Sequence, residues 1–137
     1  PMDNTSHTVF VYGTLKPGGH YWPQFCEGKV TSAVPAKIRG ELYDLHVGYP
    51  GVSLGRDKWV HGYVLTFPNQ ADFDQLHVLE GYVPDRAAQA NEYVKLRVDC
   101  FNNEGEPLGE VWAYEMTEAT FQRFPGTRIE SGNWPID

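Results

Sequence analysis

The chain has 137 residues, 41% of them hydrophobic and 14% aromatic, with 11 Lys plus Arg against 18 Asp plus Glu and a formal net charge of -7. That length fits one domain around one core, and the acidic balance without a basic patch argues against a nucleic-acid partner. No apolar run approaches the ~20 residues of a membrane span, and no segment resembles a signal peptide, so the chain reads as cytoplasmic without a membrane partner.

Residues 1–7 are polar and read as a frayed leader, with Pro1 before Met2 pointing to an expression remnant; a single domain is expected over 8–137. The first strand is Thr8 to Tyr12, four β-formers running into Gly13. Lys16 to Tyr21 is a loop, and Trp22 to Cys26 a short helical turn. Lys37 to Leu45 reads as a strand with a bulge at Gly40, and Gly48-Tyr49-Pro50-Gly51 as a turn. Val52 to Leu54 and Trp59 to Phe67 are two further strands. Asn69 opens the main helix, with Asp72 in the capping-box position and Gly81 closing it at C′. Pro84 to Glu92 is a polar loop. Tyr93 to Phe101 alternates, with Val94, Leu96, Val98 and Cys100 on one face and Lys95, Arg97 and Asp99 on the other. Asn102 to Glu106 is a hairpin turn and Glu110 to Tyr114 pairs back. Thr117 begins a second short helix that ends before Pro125-Gly126. Five or six strands with one good helix predict an α+β fold with a small curled, barrel-like sheet.

Two features point to chemistry. The first is the turn after the opening strand. Glycine at position 13 permits backbone angles barred to other residues, or a close approach by a ligand. The N–H groups of Gly13, Thr14 and Leu15 would then stand unpaired at a strand end, as an anion-binding nest. The second is Glu80. On a helical wheel it shares a face with Phe73 and Leu76, where an apolar residue is expected. Partial burial and the negative end of the helix dipole both disfavour its charged form. A glutamate tuned toward ~6–7 can act as general base and then general acid near neutral pH. The alternative is a surface glutamate, or one paired with Lys95 or Arg97.

Other chemistries lack their signatures. Residues 13–18 have the glycine spacing of a phosphate loop but not its Gly-Lys-Ser/Thr ending. No serine sits in Gly-x-Ser-x-Gly. His7, His20, His46, His61 and His77 are scattered, none at metal-ligand spacing, so no metal is expected. His77, beside Glu80, reads as a helix-flank residue. Cys26 and Cys100 lack basic neighbours and read as two reduced thiols rather than a disulfide. Trp22, Trp59, Trp112 and Trp134 are core candidates.

Together, the nest and the glutamate resemble a known family. Phe10-Val11-Tyr12-Gly13-Thr14-Leu15 and its glycine loop resemble the opening motif of the gamma-glutamylcyclotransferase-like family, in its branch of gamma-glutamylamine cyclotransferases and plant defence-induced proteins. Gly40-Glu41-Leu42-Tyr43-Asp44-Leu45 and Tyr49-Pro50-Gly51 look like its second strand and turn. Leu79-Glu80-Gly81-Tyr82 looks like its catalytic-glutamate motif, and Tyr93 like the tyrosine that opens the next strand. Ser131-Gly132-Asn133-Trp134 is similar to tails of some members. One departure is Lys95, where many members carry arginine; lysine keeps the charge and loses the planar fork.

The resemblance implies a small mixed β-barrel-like sheet flanked by one main and one or two short helices. It also implies a small-molecule γ-glutamyl amide as substrate. The substrate's own α-amine attacks the γ-carbonyl, closing 5-oxoproline and releasing the other amine, with no cofactor. Glu80 would be the catalytic acid–base. Tyr12, Gly13, Thr14, Leu15 and Tyr93 would bind substrate, the turn holding the glutamyl carboxylate or developing oxyanion. The leaving amine would meet the segments His46 to Gly55 and Pro84 to Glu92. Two other readings stand beside this one: a catalytically inactive barrel of the same fold that binds a small anion, and an interaction domain with Glu80 on its surface. A binder of anions gains nothing from a carboxylate in its pocket, and an interaction domain would place the Glu80 carboxylate far from the Gly13 turn.

Overall fold

The computed structural model describes residues 7–80 and 91–136, the Arg56 side chain excepted. In chain order the elements are β1 (Thr8–Val11), α1 (Trp22–Phe25), β2 (Ser32–Asp44), β3 (Pro50–Thr66), α2 (Gln70–Leu79), β4 (Tyr93–Phe101), β5 (Pro107–Met116), α3 (Glu118–Arg123) and β6 (Thr127–Arg128). They form one six-stranded sheet in the order β3-β1-β5-β4-β2-β6, and β2 also pairs with β3. The sheet therefore curls back on itself. Two joints are narrow: β1 meets β5 in parallel at Val9↔Trp112, and β2 meets β4 at Lys37↔Phe101. The remaining pairings are antiparallel, so the sheet is mixed and barrel-like rather than a fully hydrogen-bonded barrel.

β1 is buried on both faces, which explains its unbroken apolar run. Val9 and Val11 point into one cluster with Leu65, Phe67 and Tyr114, closed over by Phe73 and Leu76 of α2. Phe10 and Tyr12 point into the other, with Ile38, Leu42, Val52 and Val60. Covering both faces removes the alternation that a half-buried strand would show.

The longest elements differ most from the sequence expectation. β2 begins at Ser32 rather than Lys37, and the two expected strands after Gly51 are one, β3. β2 and β3 pair from Ser32↔Thr66 to Asp44↔Pro50 with one register shift, between Arg39 and Gly40. The expected bulge at Gly40 is there. Opposite it, β3 carries the extra residues 55–58 between the partners Leu54 and Trp59. Gly55 takes a φ of +82° there. The polar break that reads as a strand end is thus an insertion inside a continuous hairpin arm.

β4 has the expected bounds, but its faces are not cleanly sorted. Cys100 is fully buried while Leu96 is 38% exposed, because the narrow joint to β2 leaves that stretch uncovered. β6 has no counterpart in the sequence reading; its two residues pair with Tyr43 and Asp44. α2 is capped as expected, Asn69 Oδ1 accepting from Ala71 N at 2.8 Å and Asp72 N at 3.3 Å. Gly81 and Tyr82, and the 84–90 part of the expected loop, lie outside the described residues. Thr117 caps α3, accepting from Thr120 N at 3.3 Å. The four tryptophans are half-buried rather than core. Trp59 sits beneath Lys37 and Arg39, 4.3 and 3.7 Å from its ring centroid. Both cysteines are buried free thiols, pushed up to about 12 for Cys26 and about 11 for Cys100 by loss of solvent. Among the described residues no helix is long and apolar enough to cross a membrane.

β3 approaches β1 closely at Gly62, where a Cβ would stand 2.0 Å from Val11 O and 2.9 Å from Phe10 Cζ. Gly62→Ala is expected to destabilise the fold by about 1–3 kcal/mol through overpacking. Urea unfolding checks this, and an unchanged midpoint would contradict the close approach.

Candidate active site

The turn after β1 is closed by its carbonyls. Lys16 N donates to Gly13 O at 3.1 Å, Tyr21 N to Thr14 O at 2.9 Å and Gly19 N to Lys16 O at 2.7 Å. Among the described residues, the N–H groups of Gly13, Thr14 and Leu15 donate no hydrogen bond. This is the donor pattern of an anion nest. The reason for glycine differs from expectation. Gly13 is not among the positive-φ residues. A Cβ there would lie 2.6 Å from Pro50 Cγ and 2.7 Å from Pro50 Cδ. Glycine is required by the approach of a neighbouring ring, not by left-handed backbone.

Pro50, the first residue of β3, is held in turn. Its carbonyl accepts from Tyr93 Oη at 2.8 Å, and Tyr12 Oη donates to Tyr114 O at 2.7 Å. Burial raises both phenols, Tyr12 and Tyr93, well above the ordinary tyrosine range. They are neutral donors to backbone, fixing the wall of a cavity of about 280 Å³ between the β1 turn, the start of β3, the end of α2 and the start of β4. That volume sits near the lower end of small-molecule sites, which begin at about 300 Å³.

Glu80 is the C-cap of α2, its N–H donating to Leu76 O at 3.0 Å. Phe73 and Leu76 bury their face of the helix, which brings residue 80 to the cavity. Glu80 is half-buried as a residue. Loss of solvent around the carboxyl, and second the charge of Glu92, push it up to about 8. Lys95 and Arg97 are engaged elsewhere. Lys95 Nζ lies 3.2 Å from His77 Nε2 and 4.4 Å from the Phe73 ring centroid, and Arg97 Nε lies 3.5 Å from Glu110 Oε1. Lys95 thus ties the outer flank of α2 to the sheet and is not a lining residue of the cavity.

The structure brings all six expected site residues, Tyr12, Gly13, Thr14, Leu15, Glu80 and Tyr93, to this one cavity. Tyr49, Pro50 and Glu92, from the two segments expected to meet the leaving amine, line it too, and so does Tyr114, which sequence reasoning missed. Tyr49 Oη donates to Glu92 Oε1 at 3.1 Å. The resemblance brings both segments to the leaving amine, but it assigns no role to either side chain. Also missed was Lys16, 4% exposed, whose Nζ donates to Asn133 Oδ1 at 2.7 Å and Trp134 O at 2.6 Å. The C-terminal tail thereby fastens the residue that follows the nest. Burial lowers the Lys16 ammonium below the usual lysine range. Among the described residues no group of three or more His, Cys, Asp or Glu is placed to hold a metal ion.

Residues 9–135 match the family described as gamma-glutamyl cyclotransferase, AIG2-like. The chain belongs to this family. The solved structure of YkqA from Bacillus subtilis is 20% identical with a TM-score of 0.66, over 93% of this chain and 39% of that one. The chain thus spans about two fifths of the length of YkqA. The solution structure of At5g39720.1 from Arabidopsis thaliana is 22% identical with a TM-score of 0.63, over 86% of this chain and 73% of that one. A structure titled gamma-glutamyl cyclotransferase is 17% identical with a TM-score of 0.53, over 81% and 66%. These likenesses establish the fold. No curated protein matches the chain.

A carboxyl raised from 4.5 to about 8 makes the native state bind more protons than the unfolded chain between those values. Stability therefore falls as pH rises through that window, and the penalty is complete above it. Glu80→Gln, which removes the charge and keeps the shape, is expected to match the parent near pH 4 and exceed it by ~1–3 kcal/mol at pH 8.5, allowing for partial screening. Urea unfolding at the two pH values checks this. A variant no more stable than the parent at pH 8.5 would contradict the burial of the carboxylate.

Proposed function

We propose that the chain cyclises the γ-glutamyl group of a γ-glutamyl amine or amide to 5-oxoproline and releases the free amine. The observation that carries this reading is the sharing of one cavity by a raised carboxyl, Glu80, and the N–H groups of residues 13–15, which have no acceptor among the described residues. Family membership supports the same chemistry.

The reaction is intramolecular, so the protein needs no nucleophile of its own. It must fold the substrate into an attacking conformation and move protons. The α-ammonium of a free amino group titrates near ~8. Glu80, at about 8, is matched to it, so transfer to the carboxylate is close to even in energy. The freed α-amine forms the new C–N bond at the γ-carbonyl. Its oxygen takes up negative charge, which the N–H groups of Gly13, Thr14 and Leu15 are suited to stabilise. Collapse breaks the C–N bond to the leaving amine. Two protons leave the α-nitrogen overall and two reach the leaving nitrogen, with Glu80 as relay. Tyr12 and Tyr93, whose hydroxyls are committed to backbone carbonyls, serve as fixed walls around the glutamyl group.

Glu80→Gln is expected to fold and to lower 5-oxoproline release by at least ~10²-fold, the scale of a lost acid–base group. Retained release would overturn the role. kcat/KM should be bell-shaped with its maximum near pH 8. Its acid limb reflects ionisation of Glu80 and its alkaline limb loss of the substrate ammonium. Glu92→Gln removes a charge that raises Glu80, so the acid limb should move to lower pH. An acid limb that does not move would contradict the coupling.

A further inference from the structure

Glu92 stands at the cavity, where its charge helps raise Glu80, and the cyclisation gives its own carboxylate no proton to carry. The chemistry needs one relay carboxyl, and a second negative charge beside it makes ionisation of the first harder. A purely structural residue here would be better uncharged, yet Glu92 is held with care. Its carbonyl accepts from Thr117 N at 3.1 Å and from Thr120 Oγ1 at 2.9 Å, so the cap of α3 fixes its backbone. Its side chain accepts from Tyr49 Oη through Oε1 at 3.1 Å. Among the described residues Oε2 has no hydrogen-bond partner.

The position of Glu92 within the cavity is informative. The deep lining is Tyr12, Gly13, Leu15, Pro50 and Tyr93, all buried. Glu92 and Tyr49 are half-buried, as are Tyr21, Leu79, Thr14 and Glu80, so the half-buried side begins where the turn and the relay carboxyl end. The γ-glutamyl group belongs with the nest in the deep part. An amine leaving from there would extend toward the half-buried side of the lining, to which Tyr21, Leu79 and Glu92 belong.

Resting on the cyclisation reading, we infer that Glu92 is a specificity-determining residue that selects γ-glutamyl amides whose leaving amine carries a second, cationic amino group on a short alkyl chain. Oε2 would accept a charge-assisted hydrogen bond from that ammonium. A leaving group ending in a carboxylate would face like charge instead. The aromatic and aliphatic rim would cover the alkyl spacer.

Three amides of equal spacer length test this: γ-glutamyl derivatives of 1,4-diaminobutane, butylamine and 4-aminobutyrate, assayed for 5-oxoproline at low salt with the parent chain, Glu92→Gln and Glu92→Lys. The parent is expected to prefer the diamine over the butylamide by roughly tenfold in kcat/KM and to disfavour the carboxylate. Glu92→Gln should bring the diamine-to-butylamide ratio close to one, and Glu92→Lys should reverse the order. Ratios cancel any general change in Glu80, so they separate selection from catalysis. The parent's preference should also shrink as salt is raised to ~0.5 M, where screening acts within about 5 Å. Turnover of all three amides with the same charge preference in the parent and Glu92→Gln overturns the role of Glu92 while leaving the cyclisation reading intact. Turnover of none by the parent overturns the cyclisation reading and the inference with it.

Discussion

The contact between Gly13 and Pro50 organises this molecule. The proline ring occupies the space a side chain at position 13 would fill, with its nearest atom 2.6 Å from where a Cβ would stand. The Pro50 carbonyl accepts from Tyr93 Oη at 2.8 Å. This one knot joins the turn after β1, the first residue of β3 and the first residue of β4, which are far apart in sequence. The carbonyls of the turn are drawn into their own bonds, and among the described residues the N–H groups of residues 13–15 find no acceptor. The cavity exists because those three chain segments converge on one glycine. Separating them would remove both its floor and its donors.

Glu80 depends on the same packing from the other side. α2 lays Phe73 and Leu76 into the cluster beneath β1, and its last turn comes to rest at the cavity. Lys95, set between Phe73, Trp112 and His77, fastens the outer flank of that helix to β4 and β5. A carboxyl raised to about 8 is a state the fold imposes at some cost in stability. Such a cost is common where a group is tuned for proton transfer. The C-terminal tail adds a second fastening through the buried Lys16 ammonium. The nest is thereby anchored at Gly13 by Pro50 and just beyond Leu15 by the tail.

Local patterns were legible in the sequence and distant encounters were not. β4 could be bounded because its ends are marked by Tyr93 and by the Asn102 turn, and α2 could be started because Asn69 and Asp72 form a cap. The turn at Gly13 stood out by its residue type, yet its reason, the ring of Pro50, comes from 37 positions along the chain. The β2–β3 hairpin was cut short because residues 55–58 look like an end and are an insertion. Alternation places Leu96 on the same face as the buried Cys100, but the narrow β2–β4 joint leaves it uncovered. The segments of Tyr49 and Glu92 are both expected at the leaving amine, but no local pattern pairs the two side chains. Their contact depends on the curl of the whole sheet and on the α3 cap that fixes residue 92.

The central claim is that one small ligand touches both the nest and Glu80. The most direct measurement is nuclear magnetic resonance of the labelled chain titrated with 5-oxoproline, following the backbone amides of residues 13–15 and the side-chain carboxyl of Glu80. The account predicts that the amides of Gly13, Thr14 and Leu15 and the Glu80 carboxyl shift together along one binding curve. A saturable shift confined to other residues, or amides and carboxyl that remain unmoved throughout, would contradict it.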